Sequence, residues 1–475
     1  MTMSSEAMPN VLAKIVAHKK LEVAALKQQQ PISEQFKQQL PASQYDFLAA
    51  LQQPGPRFIL ECKKASPSKG LIRAEFNLKQ LADAYDQYAD CISVLTDEKF
   101  FQGKYEYLNT MRGLVEKPLL HKDFIIDSYQ IYLGRSCGAD AVLLMLSVLD
   151  DAEYRELAAV AKSLNMTVLT EVSNSAETLR AVALDANLIG INNRDLRSLH
   201  TDLNTSFKLA KLIPNGITIV SESGIHTNQQ VRHLSQVADA FLVGSSLMAE
   251  HNLDLATRSL VLGEHKICGL TQAEAADAAY AAGAKYGGLI FYPKSPRAVT
   301  LTQAIQIQQA APLCYVGVFV NADITEVVTT AQQLALSAVQ LHGDETDAYI
   351  QQLRPLLPAN CEIWQAYRIK DSLPQFSALV DDSANSLVDR VLLDSFHPSQ
   401  QGGSGVRFDW NILQQQLPDT PVMLAGGLNT DNVSCALKLA VAGLDFNSGL
   451  ESAPGIKDPA KIQSTFLQIR EFNYE

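Results

Sequence analysis

Ile219-Val220-Ser221-Glu222-Ser223-Gly224 carries an apolar strand into small residues, and the next apolar run ends Val243-Gly244-Ser245-Ser246. The second half of the chain repeats the pattern with Leu424-Ala425-Gly426-Gly427 and then Phe446-Asn447-Ser448-Gly449. Backbone N–H groups approach a phosphate closely only where side chains do not block them, so small residues after strands seven and eight suit a barrel phosphate site. A single glycine-rich strand end is commonly just a tight turn. The same pair in both halves points to two phosphate sites on two barrels.

Counting outward from these ends supports that reading. The first half holds eight strand-like runs: Arg57–Lys63, Cys91–Thr96, Pro118–Asp123, Ala141–Leu146, Thr167–Val172, Leu188–Asn192, Thr218–Ser223 and Ala240–Ser245. The second half holds eight more: Lys266–Leu270, Tyr286–Tyr292, Cys314–Val320, Ala338–His342, Glu362–Tyr367, Arg390–Asp394, Pro421–Gly426 and Leu444–Ser448. Nearly continuous apolar character is expected of parallel strands buried on both faces. Helical stretches such as Asp151–Leu164, Asn228–Val237, Thr271–Ala282 and Ile324–Leu336 lie between them. The predicted fold is α/β, two tandem (β/α)8 TIM barrels, with domains 1–257 and 258–475 and a short, stiff join near Ala256–His265. Ahead of the first barrel, Val11–Leu26 reads as an amphipathic helix, with Leu12, Ile15, Val16, Val23 and Leu26 near one face and lysines elsewhere.

Composition narrows the function classes. The 475 residues exceed one ordinary core, and 47% hydrophobic with 19% charged residues is typical of packed globular protein. A net charge of −12 argues against nucleic-acid or anionic-membrane partners. The seven Cys are scattered without a C-x-x-C pair, and Cys62, Cys91, Cys268, Cys314 and Cys361 sit in or beside apolar runs. This fits reduced thiols in a cytoplasmic protein. Neither a signal-peptide region nor a bilayer-long apolar run is present. Metal motifs and the G-x-G-x-x-G fingerprint are absent, so neither metal nor cofactor is expected.

Barrel chemistry is built from the carboxyl ends of strands. In the first half these ends carry Glu61 and Lys63, Lys122, Glu171, Asn192 and Arg194, and Glu222 with Ser223. Each alone reads as a solvated loop residue. Two lysines and three glutamates on one rim would shift one another's pKa values, as acid/base chemistry needs. The second rim differs, with Cys268 after strand one, His342 after strand four and Asp394 after strand six. Alone, Cys268 reads as a small core residue. Opposite Asp394 it becomes a candidate base facing a candidate acid. Pro293-Lys294-Ser295-Pro296-Arg297 is a basic loop suited to an anion, and Gly402-Gly403-Ser404-Gly405 could form a lid.

Glu61-Cys62-Lys63-Lys64-Ala65-Ser66-Pro67-Ser68-Lys69-Gly70 resembles the signature of the indole-3-glycerol phosphate synthase family. Lys122-Asp123-Phe124, Thr170-Glu171-Val172, Ile191-Asn192-Asn193-Arg194-Asp195-Leu196 and Ser221-Glu222-Ser223-Gly224-Ile225 match that family in order. The second half resembles the phosphoribosylanthranilate isomerase family through Lys266-Ile267-Cys268-Gly269-Leu270, Phe291–Arg297, Val316–Asn321, Gln340-Leu341-His342-Gly343 and Gly402–Gly405. The resemblance spans nearly the whole chain. It implies an Amadori rearrangement of N-(5′-phosphoribosyl)anthranilate in the second barrel, followed by indole ring closure with loss of carbon dioxide and water in the first. In the second site Cys268 would be the base and Asp394 the acid that opens the furanose. The thiol pKa should then be lowered and that of Asp394 raised. Arg297 would hold the anthranilate carboxylate as a bidentate pair. Gly403, Gly426, Gly427, Ser448 and Gly449 would lie near the phosphate, and His342 would contact substrate.

In the first site the resemblance makes Lys122 the leading acid, with Lys63 the other candidate, and Glu171 its carboxylate counterpart. Glu61, Asn192, Arg194 and Glu222 would complete the site, Ser223, Gly224, Gly244 and Ser245 the phosphate cradle. The N-terminal helix would lie over this mouth. Two other readings keep the barrels: a Schiff-base phosphosugar aldolase using Lys63 or Lys122, and a non-catalytic sugar-phosphate sensor. The expected partners are small phosphosugar-anthranilate substrates, and two barrels on one chain lessen the need for a dimer.

Overall fold

A computed structural model describes residues 10–195, 199–376, 386–395, 408–414 and 417–474. The chain divides into two compact units, Met1–Val261 with Asn473–Glu475, and Leu262–Phe472. The expected 257/258 division falls inside a helix, Leu253–Leu262. Each unit contains one closed, all-parallel eight-stranded barrel. The first is built from β1 (Arg57–Cys62), β2 (Cys91–Leu95), β3 (Leu119–Lys122), β4 (Ala141–Met145), β5 (Thr167–Val172), β6 (Leu188–Asn192), β7 (Thr218–Glu222) and β8 (Ala240–Val243). The second is built from β9 (Lys266–Ile267), β10 (Tyr286–Ile290), β11 (Cys314–Phe319), β12 (Ala338–Leu341), β13 (Glu362–Ile369), β14 (Arg390–Ser395), β15 (Val422–Leu424) and β16 (Gly443–Phe446). Each strand pairs with the next, and β8 and β16 close back onto β1 and β9. Among the described residues, no helix is long and apolar enough to cross a membrane.

All sixteen expected strands are present, several shorter than their apolar runs suggest. Lys266–Leu270 yields only Lys266–Ile267, because Gly269 turns the chain at φ +70° just after Cys268. Pro421–Gly426 shortens to Val422–Leu424 ahead of Gly426 at φ +86°. Positive φ is incompatible with a strand, so these glycines place the following side chains at the rim instead of in the sheet. Ile59, Leu143, Leu169, Leu188, Val220 and Leu242 help fill the first interior. In the second, Trp364 meets Tyr286 edge-on with ring centroids 4.9 Å apart. Helix starts follow local chemistry: Asp150 with Glu153, Thr227 with Gln230 and Thr300 with Gln303 each form a reciprocal capping box.

The N-terminal helix α1 spans Asn10–Gln29. Leu12, Ile15 and Val23 are buried as expected. Lys19 departs from the expectation, since it lies on the apolar face (12, 15, 19, 23) and is fully buried. Its Nζ reaches Asp97 Oδ2 at 2.8 Å and Asp123 Oδ1 at 2.9 Å, beyond the carboxyl ends of β2 and β3. The helix therefore lies over the mouth of the first barrel. Burial opposes the Lys19 charge, but the two carboxylates hold its pKa above the ordinary lysine value.

Removing one partner of a buried ion cluster strands the others. Lys19→Met is expected to cost about 3–5 kcal/mol of first-barrel stability, measured by urea denaturation. A variant within about 1 kcal/mol of the parent would show that the cluster does not anchor α1.

Candidate functional sites at the two barrel mouths

In the first mouth Lys122, ending β3, stands among carboxylates. Its Nζ lies 3.2 Å from Glu171 Oε2 on β5 and 3.5 Å from Glu222 Oε2 at the end of β7. Asn192 Nδ2 donates to Glu171 Oε1 at 3.1 Å. Lys63, one residue past β1, forms an ion pair with Glu61. Glu61, Glu171 and Glu222 are almost wholly buried. Burial raises the Glu61 carboxyl pKa, but Lys63, Lys122 and Arg194 more than offset this and leave it lowered. Glu222 goes the other way: burial dominates, Glu171 and Glu61 add to it against Lys122, and its pKa is pushed up to about 8. Burial also disfavours the Lys122 ammonium, yet Glu171, Glu222 and Glu61 together raise its pKa. Two neighbouring carboxyl groups thus differ in protonation near neutral pH.

Beside this cluster is a pocket open to solvent, lined by Glu61, Lys63, Lys69, Arg194, Ser223, Gly224, Gly244 and Ser245. Ser223 and Gly224 adopt φ of +68° and +81° at the end of β7. After β8, a short helix, Ser245–Met248, starts at the rim, so its opening N–H groups lack intrahelical acceptors. Arg194 Nη1 donates to Ser68 Oγ at 3.1 Å across the mouth. Two glycines have a further function. A Cβ at Gly244 would collide with Glu61, and one at Gly190 with Glu222. Gly190 and Lys69 were not singled out by the sequence reading. Lys69 lies inside a quoted motif, whereas nothing near Gly190 in sequence marks its partner 32 residues on.

The second mouth holds a pocket that is open to solvent. Cys268, Arg297, His342, Asp394, Gly426, Gly427 and Ser448 all line it, as does Asn447. Gly426 and Gly427 have φ of +86° and +66°, matching the Ser223-Gly224 pair of the first barrel. Gly449 is required for packing, since a Cβ there would strike the Leu428 carbonyl. Gly403, with the rest of the expected Gly402–Gly405 lid, lies outside the described residues.

Three features depart from the sequence reading. Burial pushes the Cys268 thiol pKa up; the Lys266 ammonium lowers it, without overcoming desolvation. The thiol pKa is therefore raised where the sequence reading expects it lowered. Arg297 lines the cavity, but Nε and Nη2 already bind Glu451 Oε1 and Oε2 at 2.8 and 2.7 Å. The bidentate partner of Arg297 is thus a carboxylate of its own chain, held in turn by Lys457 at 2.8 Å. The third is Lys266, to which the sequence reading assigns no role. It is fully buried, with Nζ donating to Asp445 Oδ2 at 2.7 Å and to Gln340 Oε1 at 3.0 Å. Burial opposes its charge, while Asp445 and the Cys268 thiol raise its pKa. Gly288 makes room for this group, as a Cβ there would come within 2.7 Å of Cys268 Sγ and 2.9 Å of Lys266 Cε.

Residues 12–260 match the family model described as indole-3-glycerol phosphate synthase, and residues 265–468 the one described as N-(5′-phosphoribosyl)anthranilate isomerase. The chain is 53% identical over 468 residues to the tryptophan biosynthesis protein TrpCF of Yersinia pestis, covering 98% of this chain and 96% of that protein. The proteins of the same name in Vibrio cholerae and Haemophilus influenzae are 53% and 48% identical, each aligned over 97% of its own length.

The Lys266 ammonium favours the Cys268 thiolate. Lys266→Met is expected to slow iodoacetamide alkylation of Cys268 at pH 8, followed by peptide mass spectrometry, by about tenfold per unit of thiol pKa regained. An unchanged rate would mean that the ammonium does not act on the thiol.

Proposed function

The chain belongs to the indole-3-glycerol phosphate synthase and phosphoribosylanthranilate isomerase families, and from that premise we infer how the residues of the two mouths carry the two reactions. It is a bifunctional enzyme of tryptophan biosynthesis. The second barrel isomerises N-(5′-phosphoribosyl)anthranilate to 1-(2-carboxyphenylamino)-1-deoxyribulose 5-phosphate. The first closes the indole ring on that product, releasing carbon dioxide and water and leaving indole-3-glycerol phosphate.

In the first barrel we assign Lys122 as the acid at the sugar carbonyl. Its ammonium, enclosed by Glu171, Glu222 and Glu61, is the observation that carries this assignment. The same enclosure counts against a Schiff base at Lys122, which requires a neutral amine. Glu171, fixed by Asn192, is suited to accept a proton during dehydration, and Glu222, neutral up to about pH 8, to donate one. Lys63 and Arg194 would meet the substrate's anionic groups, with the phosphate at Ser223, Gly224, Gly244 and Ser245.

In the second barrel Asp394 would protonate the furanose ring oxygen and Cys268 would remove the C2′ proton. Both line one cavity with the cradle of Gly426, Gly427 and Ser448. A ligand carboxylate at Arg297 would share its guanidinium with Glu451 or displace that side chain. We place the division between the activities at 257/258, inside the helix Leu253–Leu262. We further propose a monomer acting on small molecules in the cytoplasm, a setting that suits seven unbridged cysteines.

Separate sites predict separable losses. Cys268→Ala should lower isomerase kcat by about 10²–10⁴-fold and leave synthase activity at the parent level, and Lys122→Ala should do the reverse. Loss of both activities from a folded single variant would sink the assignment. A pH profile tests Glu222. As pH rises through about 8 its proton is lost, adding a negative charge to a mouth that must accept an anionic substrate. Synthase kcat/KM should therefore fall on the alkaline side, and Glu222→Gln should flatten that limb. An unchanged limb in the variant would assign it to another group.

A further inference from the structure

A buried chain of polar side chains crosses the floor of the second mouth. Lys266 comes from β9, Gln340 from β12, His342 from the residue after β12, and Asp394 from β14. Lys266 Nζ donates to Gln340 Oε1 at 3.0 Å. Gln340 Nε2 lies 2.9 Å from His342 Nδ1. His342 Nε2 lies 3.3 Å from Asp394 Oδ2 without an in-line hydrogen bond, and the ring lines the cavity.

Hydrogen-bond bookkeeping along this chain has one solution. An ammonium offers only donors, so the side of Gln340 facing Lys266 must be its oxygen. The amide nitrogen then faces His342, and it too can only donate. Nδ1 must present its lone pair, which leaves the ring proton on Nε2. Lys266 cannot turn away cheaply. It is fully buried and tied to Asp445 at 2.7 Å, and even a Cβ at Gly288 would come within 2.9 Å of its Cε.

We propose that Lys266, acting through Gln340, locks His342 in its Nε2-protonated form, so that the ring can only donate toward Asp394 and the acid's proton is reserved for the substrate. An unprotonated Nε2 at 3.3 Å would present a lone pair to the acid and compete with the furanose oxygen for its proton. With the lock in place, the proton passes from Asp394 to the ring oxygen. The C1′–O bond breaks, and the anthranilate nitrogen supplies the electron pair that forms C1′=N⁺. The Asp394 carboxylate formed in that step meets a ready donor in His342 Nε2–H, which stabilises charge where it develops. Lys266 and Gln340 are positioning residues here. Lys266 also faces Cys268, so one ammonium supports the base directly and the acid through two side chains. The inference rests on the assignment of Asp394 as the acid.

The test uses the full chain labelled with ¹⁵N-histidine, with the His342 signals identified by their loss in His342→Gln. Long-range ¹H–¹⁵N correlations should show the Nε2-protonated pattern in the parent. Gln340→Glu places an acceptor against Nδ1 and should draw a proton there. Lys266→Met frees the amide to turn and should abolish the single-tautomer pattern. Both variants should lose about 10- to 100-fold in isomerase kcat with KM little changed, while synthase activity on the same chain stays at the parent level. An Nδ1-protonated ring in the parent would overturn the proposal. So would parent-level kcat in a variant whose tautomer has changed, or an unchanged tautomer in both variants. Asp394→Asn separates the premise: isomerase activity retained there would remove the acid assignment itself, whatever the state of His342.

Discussion

Both mouths are governed by one constraint: a charge inside a barrel must face an opposite charge or lose its ionisation. Lys19 is set against Asp97 and Asp123, Lys122 against Glu171 and Glu222, and Lys266 against Asp445. Lys19 also meets Glu22 on its own helix, but every pairing named here joins different elements and so also holds them in place. In the first barrel they tie α1 to the ends of β2 and β3. The carboxylates outnumber the cation around Lys122, and Glu222 is the group that yields, keeping its proton to about pH 8. The same electrostatics that stabilise the cluster therefore create a distinct acid within it.

Space for these charges comes from backbone without side chains. Gly190 gives room to Glu222, Gly244 to Glu61, and Gly288 to Cys268 and Lys266. Of these three, Gly244 alone is marked by the sequence, as part of an expected phosphate cradle. The two barrels share the cradle geometry, with positive φ at Ser223-Gly224 and at Gly426-Gly427. They differ one residue earlier, where Glu222 in the first barrel corresponds to Ala425 in the second. A similar backbone turn in both barrels thus stands beside strand ends that carry different chemistry: a lysine among carboxylates in one, and a thiol, a carboxyl group and a histidine in the other.

Much of this was legible in the order of residues. Sixteen apolar runs, their spacing and the paired small residues after the last two strands of each half specify two barrels, because strand burial and close approach to an anion are local demands on composition. The rim residues Lys122, Glu171, Glu222, Cys268 and Asp394 were found because a barrel brings every strand end to one face. Strand limits were less legible, since one glycine at positive φ ends a strand within an apolar run, as Gly269 does after Cys268.

Partner choice was decided only by the tertiary structure. Arg297 binds Glu451, 154 residues away, and Lys266 binds Asp445, 179 residues away. The sequence reading sets the lysines of this helix off its apolar face, yet the spacing of Lys19 from Leu12, Ile15 and Val23 puts it on the buried one. The Cys268 thiol pKa also reversed direction, because desolvation depends on everything packed around a group and sequence shows only its neighbours. Sequence by itself determined which chemical groups reach each mouth, a matter of local periodicity. The tertiary structure decided which of them are paired, protonated or locked, because buried electrostatics depend on distances between strands far apart in the chain.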